Sequence, residues 1–255
     1  VGEVYNWRDL AATLRTRHRF KTTSDGEVLL HGYEEEGLHF FRRVDGMFAL
    51  AIRDLKHNQL ILARDRLGIK PLFWTVDGYR VTFGTEIKSV DCLLGRSSVL
   101  SWRRAWQMIG QPARYPGPCW IGIEEVEPGT AAIFMPGQTP IISQWHEFSY
   151  CPRSASEQEM EAMYKTALTE SVVLQTQGID QLAIALSGGL DSSLLCSLSK
   201  EKPTAFVLVN TSTVDNGELD AARLVAGELD INLYEVVPQE VGSMTKMAYL
   251  DILRF

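Results

Sequence analysis

Cysteine is scarce in this chain: Cys92, Cys119, Cys151 and Cys196 are the four in 255 residues, and they stand far apart. No CxxC pair occurs, so the spacing of metal-ligating or redox cysteine pairs is absent. Thiols used this way are expected to be buried and reduced, as in a cytosolic protein. Long apolar runs are missing too. None could span a bilayer, and the longest read as buried strands, so no membrane partner is expected. The opening Val1-Gly2-Glu3-Val4 has neither the basic nor the apolar region of a signal peptide, and its first residue is not Met. Positive charge is short as well. The net charge is −7, the sequence pI is about 5.3 and no Lys/Arg stripe occurs, which argues against a nucleic-acid groove. What is present is the balance of a globular chain: 45% hydrophobic and 22% charged residues, enough to bury a core in one or two domains.

The two halves follow different periods. Residues 1–148 are rich in short β-type runs. GMFALAI (46–52) and QLILA (59–63) flank a polar turn. Residues 72–76 and 79–83 flank Asp77-Gly78, a strong hairpin signal. Residues 120–126 and 131–135 flank the Pro128-Gly129 turn. Ser24 and Glu27 have the spacing of a capping box and predict a helix through Val28-Leu29-Leu30 that ends near Gly37. SYCPRSAS (149–156) reads as a linker. Beyond it, Ser156 and Glu159 form a second capping-box pattern. Met160, Met163, Ala167 and Leu168 recur at helical spacing, which predicts an amphipathic helix packed on a core. A strand (181–186), a helix (192–199), a strand (205–209), a helix (218–229) and a strand (231–237) follow. This βαβαβ order predicts a parallel, doubly wound sheet.

The stretch LAIALSGGLDSSLLCSL (182–198) holds the clearest chemistry. An apolar strand stops at Ser187-Gly188-Gly189 and a helix opens at once. In an open α/β sheet, ligands bind beyond the carboxyl ends of the strands. Two glycines let a ligand approach the main chain, and the helix start presents unpaired N–H groups to an anion. Ser187, Ser192 and Ser193 add hydroxyls, making an oxyanion cradle suited to phosphate. The lysine and spacing of a Walker A loop are absent. Asp191 would be repelled by phosphate, so it either turns away and caps the helix or meets the phosphates through a divalent cation.

The SGGLDSS string resembles the pyrophosphate-loop signature of the ATP pyrophosphatases. The resemblance implies that Ser187, Gly188, Gly189, Asp191 and Ser192 contact the phosphates of ATP, with Asp191 near Mg²⁺. Adenine would lie against backbone near Ala185 and Leu186 and near Leu208 on the next strand.

The first half narrows the reading. GEVYN (2–6), TTSDGEVLLHGYEEEG (22–37), DGMFALAIRD (45–54), ARDRLGIKPLFW (63–74) and TEIKSV (85–90) occur in that order. Together they resemble the class II glutamine amidotransferase domain of the asparagine synthetase family. The resemblance implies an α+β glutaminase-like domain of Ntn-type αββα layering at 1–148, followed by an α/β doubly wound pyrophosphate-loop domain at 157–255, both incomplete. In that family an N-terminal cysteine attacks glutamine, and ammonia passes to a second domain that activates aspartate as its β-acyl adenylate. Gly2 would then supply an oxyanion-hole N–H, while Glu3 and Asp25 would hold the glutamine α-amino group. The implied small molecules are glutamine, aspartate, ATP and Mg²⁺; family members are often dimers, and a cytoplasmic location is implied. Arg64, Asp65 and Arg66 read as an ion-pair cluster that shapes the turn before Lys70-Pro71.

Three departures from the family pattern stand out. Val1 occupies the place of an oxyanion-hole asparagine. The nucleophilic cysteine and an arginine for the glutamine carboxylate belong before this chain begins. The chain also stops at Arg254-Phe255, ahead of further synthetase motifs. It is therefore expected to be the central piece of a longer protein, without glutamine hydrolysis of its own and with weak ATP binding at most. Two alternatives stay open: a β-lactam-synthetase-like or lasso-cyclase-like ligase with a silent glutaminase domain, and a non-catalytic truncated copy.

Overall fold

A computed structural model describes residues 1–110, 117–209 and 216–237. The tail of the expected second domain, residues 238–255, lies outside them. The chain divides into two compact units, Val1–Cys151 and Pro152–Phe255.

The first unit holds two antiparallel sheets. The larger has the order β1-β2-β3-β7-β8, from Gly2–Val4, Gly46–Asp54, Gln59–Arg64, Thr130–Phe134 and Ile141–Gln144. The smaller has the order β5-β4-β6, from Arg80–Gly84, Phe73–Asp77 and Glu124–Glu125. Alternation along β2 gives the large sheet two buried faces. Phe48 and Ile52 point toward helices α1 (Trp7–Leu14) and α2 (Glu27–Glu36) and a 3-10 helix (Gly37–Arg43), in a core with Val28, Phe40, Phe41 and Ile61. Ala49 points the other way, joining Leu62, Ala132 and Phe134 against Leu72, Trp74 and Phe83 of the smaller sheet's side. Helix α3 (Ile87–Leu94) packs on β5 and β4, with Val90 fully buried. The layers thus run helix, sheet, sheet, helix.

Several expectations from sequence need correction here. Helix α2 does end at Gly37, but Ser24 and Glu27 form no capping box. Gly26 is the N-cap, and the Ser24 hydroxyl accepts from the Gly26 N–H. The Glu27 carboxylate is taken up by a different partner, the preceding loop: it accepts from the Lys21 N–H (2.6 Å), the Thr22 N–H (2.8 Å) and the Thr22 hydroxyl (2.5 Å). The Asp77-Gly78 hairpin forms as expected, with Asp77 opposite Arg80. The 120–126 strand shrinks to β6, which pairs with β4, whereas β7 pairs with β3. Pro128-Gly129 is therefore a corner between sheets. Cys92 and Cys151 are exposed free thiols; only Cys119 and Cys196 are buried. Short helices α1, α3 and α4 (Trp102–Gly110) were hidden in half-polar segments.

The second unit opens with α5 (Glu157–Thr176), and here the capping box forms: Ser156 Oγ accepts from the Glu159 N–H, and the Glu159 carboxylate accepts from the Ser156 N–H. The Met160, Met163 and Ala167 stripe is exposed rather than packed on a core; the buried residue of α5 is Val172. Strands β9 (Ala183–Ala185), β10 (Thr204–Leu208) and β11 (Leu233–Val236) are parallel, in the order β11-β10-β9. Their crossovers are α6 (Leu190–Leu198) and α7 (Glu218–Glu228). Leu186, Cys196, Ala205, Val207, Leu219, Ala222 and Ala226 form the shared core. Strand order does not reverse among the described strands, so a second winding is not part of them. The opposite face leaves Phe206, Leu208, Tyr234 and Val236 exposed.

Candidate functional site

In the first unit, Gly2, Glu3, Trp7, Thr23, Ser24 and Asp25 line one open cleft. Strand β1 supplies Gly2 and Glu3, the start of α1 supplies Trp7, and the loop before α2 supplies Thr23, Ser24 and Asp25. Gly2 has φ +147°, and a Cβ there would lie 2.1 Å from the Met47 carbonyl oxygen, so the close pairing of β1 on β2 requires glycine. Asp25 is fixed by the strand opposite: its Oδ2 accepts from the Val4 N–H at 2.7 Å. Ser24 Oγ approaches Asp25 Oδ1 at 3.5 Å. Glu3 is exposed, and Asp25 is partly buried. Burial, and after it the fields of Glu3 and Asp65, pushes the neighbouring Tyr5 phenol up. The cleft therefore carries two carboxylates beside an aromatic ring, a setting that suits an ammonium group. Trp7 and Thr23 were missed from sequence, although both stand within or beside the quoted motifs.

In the second unit, β9 ends at Ala185, and the buried Leu186 donates its N–H to the Phe206 carbonyl at 2.8 Å. The chain then turns at Gly188, whose φ is +72°. A Cβ on Gly188 would lie 2.5 Å from Ala221 Cβ and 2.6 Å from the Ala222 nitrogen, so this glycine lets the loop touch α7. Ser187 and Ser192 close the corner. Their hydroxyls are 3.1 Å apart, and the Ser187 N–H donates to Ser192 Oγ at 3.2 Å. Gly189 is the N-cap of α6 and donates its own N–H to Ser187 Oγ at 3.3 Å, a long bond that a phosphate oxygen can replace; no side chain caps the helix, so the N–H groups of its first turn stay available for an anion. Asp191 stands exposed in the first turn and takes no capping role. Since Ala185 pairs with Phe206, Leu208 lies level with Ser187 at the carboxyl edge of the sheet. Ala185, Leu186, Ser187, Gly188, Gly189, Asp191, Ser192 and Leu208 are thus gathered at one strand-to-helix corner. Burial pushes the Cys196 thiol up, which leaves it a packing residue under α6.

Comparison with known families bears on both sites. The family model of the glutamine amidotransferase domain matches residues 1–146, and that of asparagine synthase matches residues 163–248. The chain belongs to the asparagine synthetase family. It is 31% identical to asparagine synthetase [glutamine-hydrolyzing] 2 of Bacillus subtilis, over 93% of this chain and 34% of that protein. It is 35% identical to asparagine synthetase [glutamine-hydrolyzing] 3 of the same organism, over 78% of this chain and 33% of that protein. The asparagine synthetase [glutamine-hydrolyzing] of Zea mays is 31% identical, over 78% of this chain and 29% of that protein. The chain thus spans about a third of the length of the relatives it matches. No described helix is long and apolar enough to cross a membrane.

Within this family member, the RDRLGIKP segment is architecture. Asp65 is fully buried, and its carboxylate accepts four backbone N–H groups, from Phe48, Leu67, Ile69 and Lys70. Arg64 is also buried. It donates to the Lys70, Gly68 and Val126 carbonyls and to Glu125 at 2.6 Å. Arg66 donates to the Val44 and Arg42 carbonyls.

Proposed function

We propose that this chain is part of a glutamine-dependent asparagine synthetase, an AMP-forming carbon–nitrogen ligase that takes its amide nitrogen from glutamine. The observation that carries the reading is the corner at 187–192, where a glycine of positive φ, two paired serine hydroxyls and an uncapped helix start meet at the carboxyl edge of a parallel sheet. That combination suits the phosphates of ATP. In this reading the first unit, 1–148, is an Ntn-type glutaminase domain and the second, 157–255, a doubly wound pyrophosphate-loop domain, in a cytoplasmic enzyme.

Each group has a role. The N–H groups of Gly188 and Gly189 and the hydroxyls of Ser187 and Ser192 hold phosphate oxygens; Ala185, Leu186 and Leu208 line the adenine side. A hard cation fits the exposed carboxylate of Asp191, which would hold Mg²⁺ beside the pyrophosphate and neutralise charge there. Glu3 and Asp25 clamp the α-amino group of glutamine, and the Gly2 N–H stabilises the oxyanion formed at its amide. Aspartate is the proposed acceptor of the nitrogen.

Calorimetric titration of the chain with ATP and Mg²⁺ tests the reading. Weak saturable binding is expected, displaced by pyrophosphate and abolished by Ser187→Ala together with Asp191→Ala. Binding that ignores both substitutions, or no binding at any ATP concentration, would overturn it.

A further inference from the structure

Away from both clefts, two histidines and a carboxylate converge in the first unit. His18 follows α1, and His31 and Glu34 lie one turn apart on α2. Glu34 Oε2 lies 3.3 Å from His18 Nδ1 and 2.8 Å from His31 Nδ1. One ligand atom from each of the three residues falls within 4.8 Å of the others. The imidazole rings face each other at 4.7 Å, and Phe20 covers the His31 ring at 4.8 Å.

The far side of each ring meets a second carboxylate. His18 Nε2 lies 2.8 Å from Glu35 Oε1, and Glu35 is itself held by Arg17 at 2.8 Å. His31 Nε2 is buried 3.4 Å from Glu27 Oε1, without a hydrogen bond of good geometry. Each ring thus has a carboxylate at both nitrogens. A neutral imidazole has one N–H, so one of its two nitrogens would turn a lone pair toward a carboxylate. A divalent cation among the two Nδ1 atoms and Glu34 Oε2 removes this conflict at both rings. It takes the lone pairs, and each Nε2–H is left to point at Glu35 or Glu27. A carboxylate behind a metal-bound imidazole is the arrangement that orients such ligands.

We propose that His18, His31 and Glu34 form a binding site for a zinc-type divalent transition-metal ion. Two imidazoles and one carboxylate are the donor set of an N/O zinc site with room for water, and the half-exposed Glu34 leaves the fourth position open to solvent. The ion would tie the segment beginning at His18 to α2. Glu27 already holds Lys21 and Thr22 of that segment, four and three residues before Asp25. The effect on the glutamine cleft rests on the reading proposed above; metal binding does not.

The test is titration of the metal-free chain with Zn²⁺ by calorimetry, and with Co²⁺ by visible absorption. One ion per chain is expected, with a cobalt spectrum free of thiolate charge transfer. His31→Ala and Glu34→Gln should abolish the site, and Glu35→Gln should weaken binding about tenfold, while His57→Ala leaves it unchanged. Unaltered circular dichroism would show that the variants fold; Glu34 and Glu35 lie at the surface, so their conservative variants keep the test open if His31→Ala does not. No stoichiometric binding, thiolate bands from the exposed Cys92 or Cys151, or affinity unchanged in Glu34→Gln would overturn the proposal.

Discussion

The Asp25 carboxylate accepts the backbone N–H of Val4 at 2.7 Å, tying the loop before α2 to the edge strand of the large sheet. Through this bond the two sides of the candidate glutamine cleft share one anchor. Asp25→Ala leaves the Val4 N–H without its partner, a loss of about 1–2 kcal/mol for a partly buried charge-assisted bond. Asp25→Asn keeps an oxygen acceptor and is expected to lose less than half of that. All six tryptophans lie in the first unit, so urea unfolding followed by tryptophan fluorescence reads this unit alone. An Asp25→Ala midpoint equal to wild type would remove the anchoring role.

At the phosphate corner, Gly188→Ala combines two faults. A non-glycine residue at φ +72° costs about 1–2 kcal/mol, and the new methyl meets Ala221 Cβ at 2.5 Å. Backbone atoms of α7 lie almost as close, so a side-chain rotation cannot relieve the clash. The expected outcome is faster amide exchange across β9, β10 and α7, with the tryptophan-detected unfolding of the first unit unchanged. Protection equal to wild type would mean that the corner repacks freely.

Sequence patterns reached the second unit more readily than the first. The βαβαβ order, the Ser156 capping box and the Leu219, Ala222 and Ala226 face are local signals, and local signals survive folding. The first unit depends on pairings between distant segments, and these leave a weaker trace. Nothing near 120–126 announces that β6 joins β4 and not β7. Ser24 and Glu27 had the right spacing for a cap, but the Thr22 hydroxyl and the Lys21 and Thr22 amides claim the carboxylate first. Gly2, Glu3 and Asp25 could be grouped only by resemblance; the β1–β2 pairing brings them into one cleft. His18 lies outside every quoted motif and His31 inside one that points to no metal, and only the packing of the 18–25 segment on α2 makes them neighbours.

Asp65→Asn tests the architectural reading of the RDRLGIKP turn. The buried carboxylate serves four N–H donors, two on each oxygen. An amide replaces one oxygen with NH₂, which faces donors and satisfies none of them. Two buried N–H groups are orphaned, at a cost of about 3 kcal/mol or more. The urea midpoint should fall with little change in slope, because the same surface is exposed on unfolding. A loss under about 1 kcal/mol would show that the turn is held by Arg64 and packing instead.

Glu27 sets an acid limit on the loop that leads to Asp25. The Thr22 hydroxyl, together with the Lys21 and Thr22 N–H groups, holds its carboxyl at about 2, against an ordinary 4.5. A depressed carboxylate stabilises the fold at every pH above its unfolded value and stops doing so as pH falls through its folded value. The contribution is therefore whole above pH 4.5 and fades between 4.5 and about 2. Glu27→Gln cannot titrate, so wild type should be the more stable at neutral pH, and the gap should close across that acid window. Thermal midpoints of both proteins in tryptophan fluorescence, stepped through the window, give the comparison. A gap that stays constant down to pH 2 would mean that the Glu27 carboxyl is not depressed and that the loop is held by other contacts.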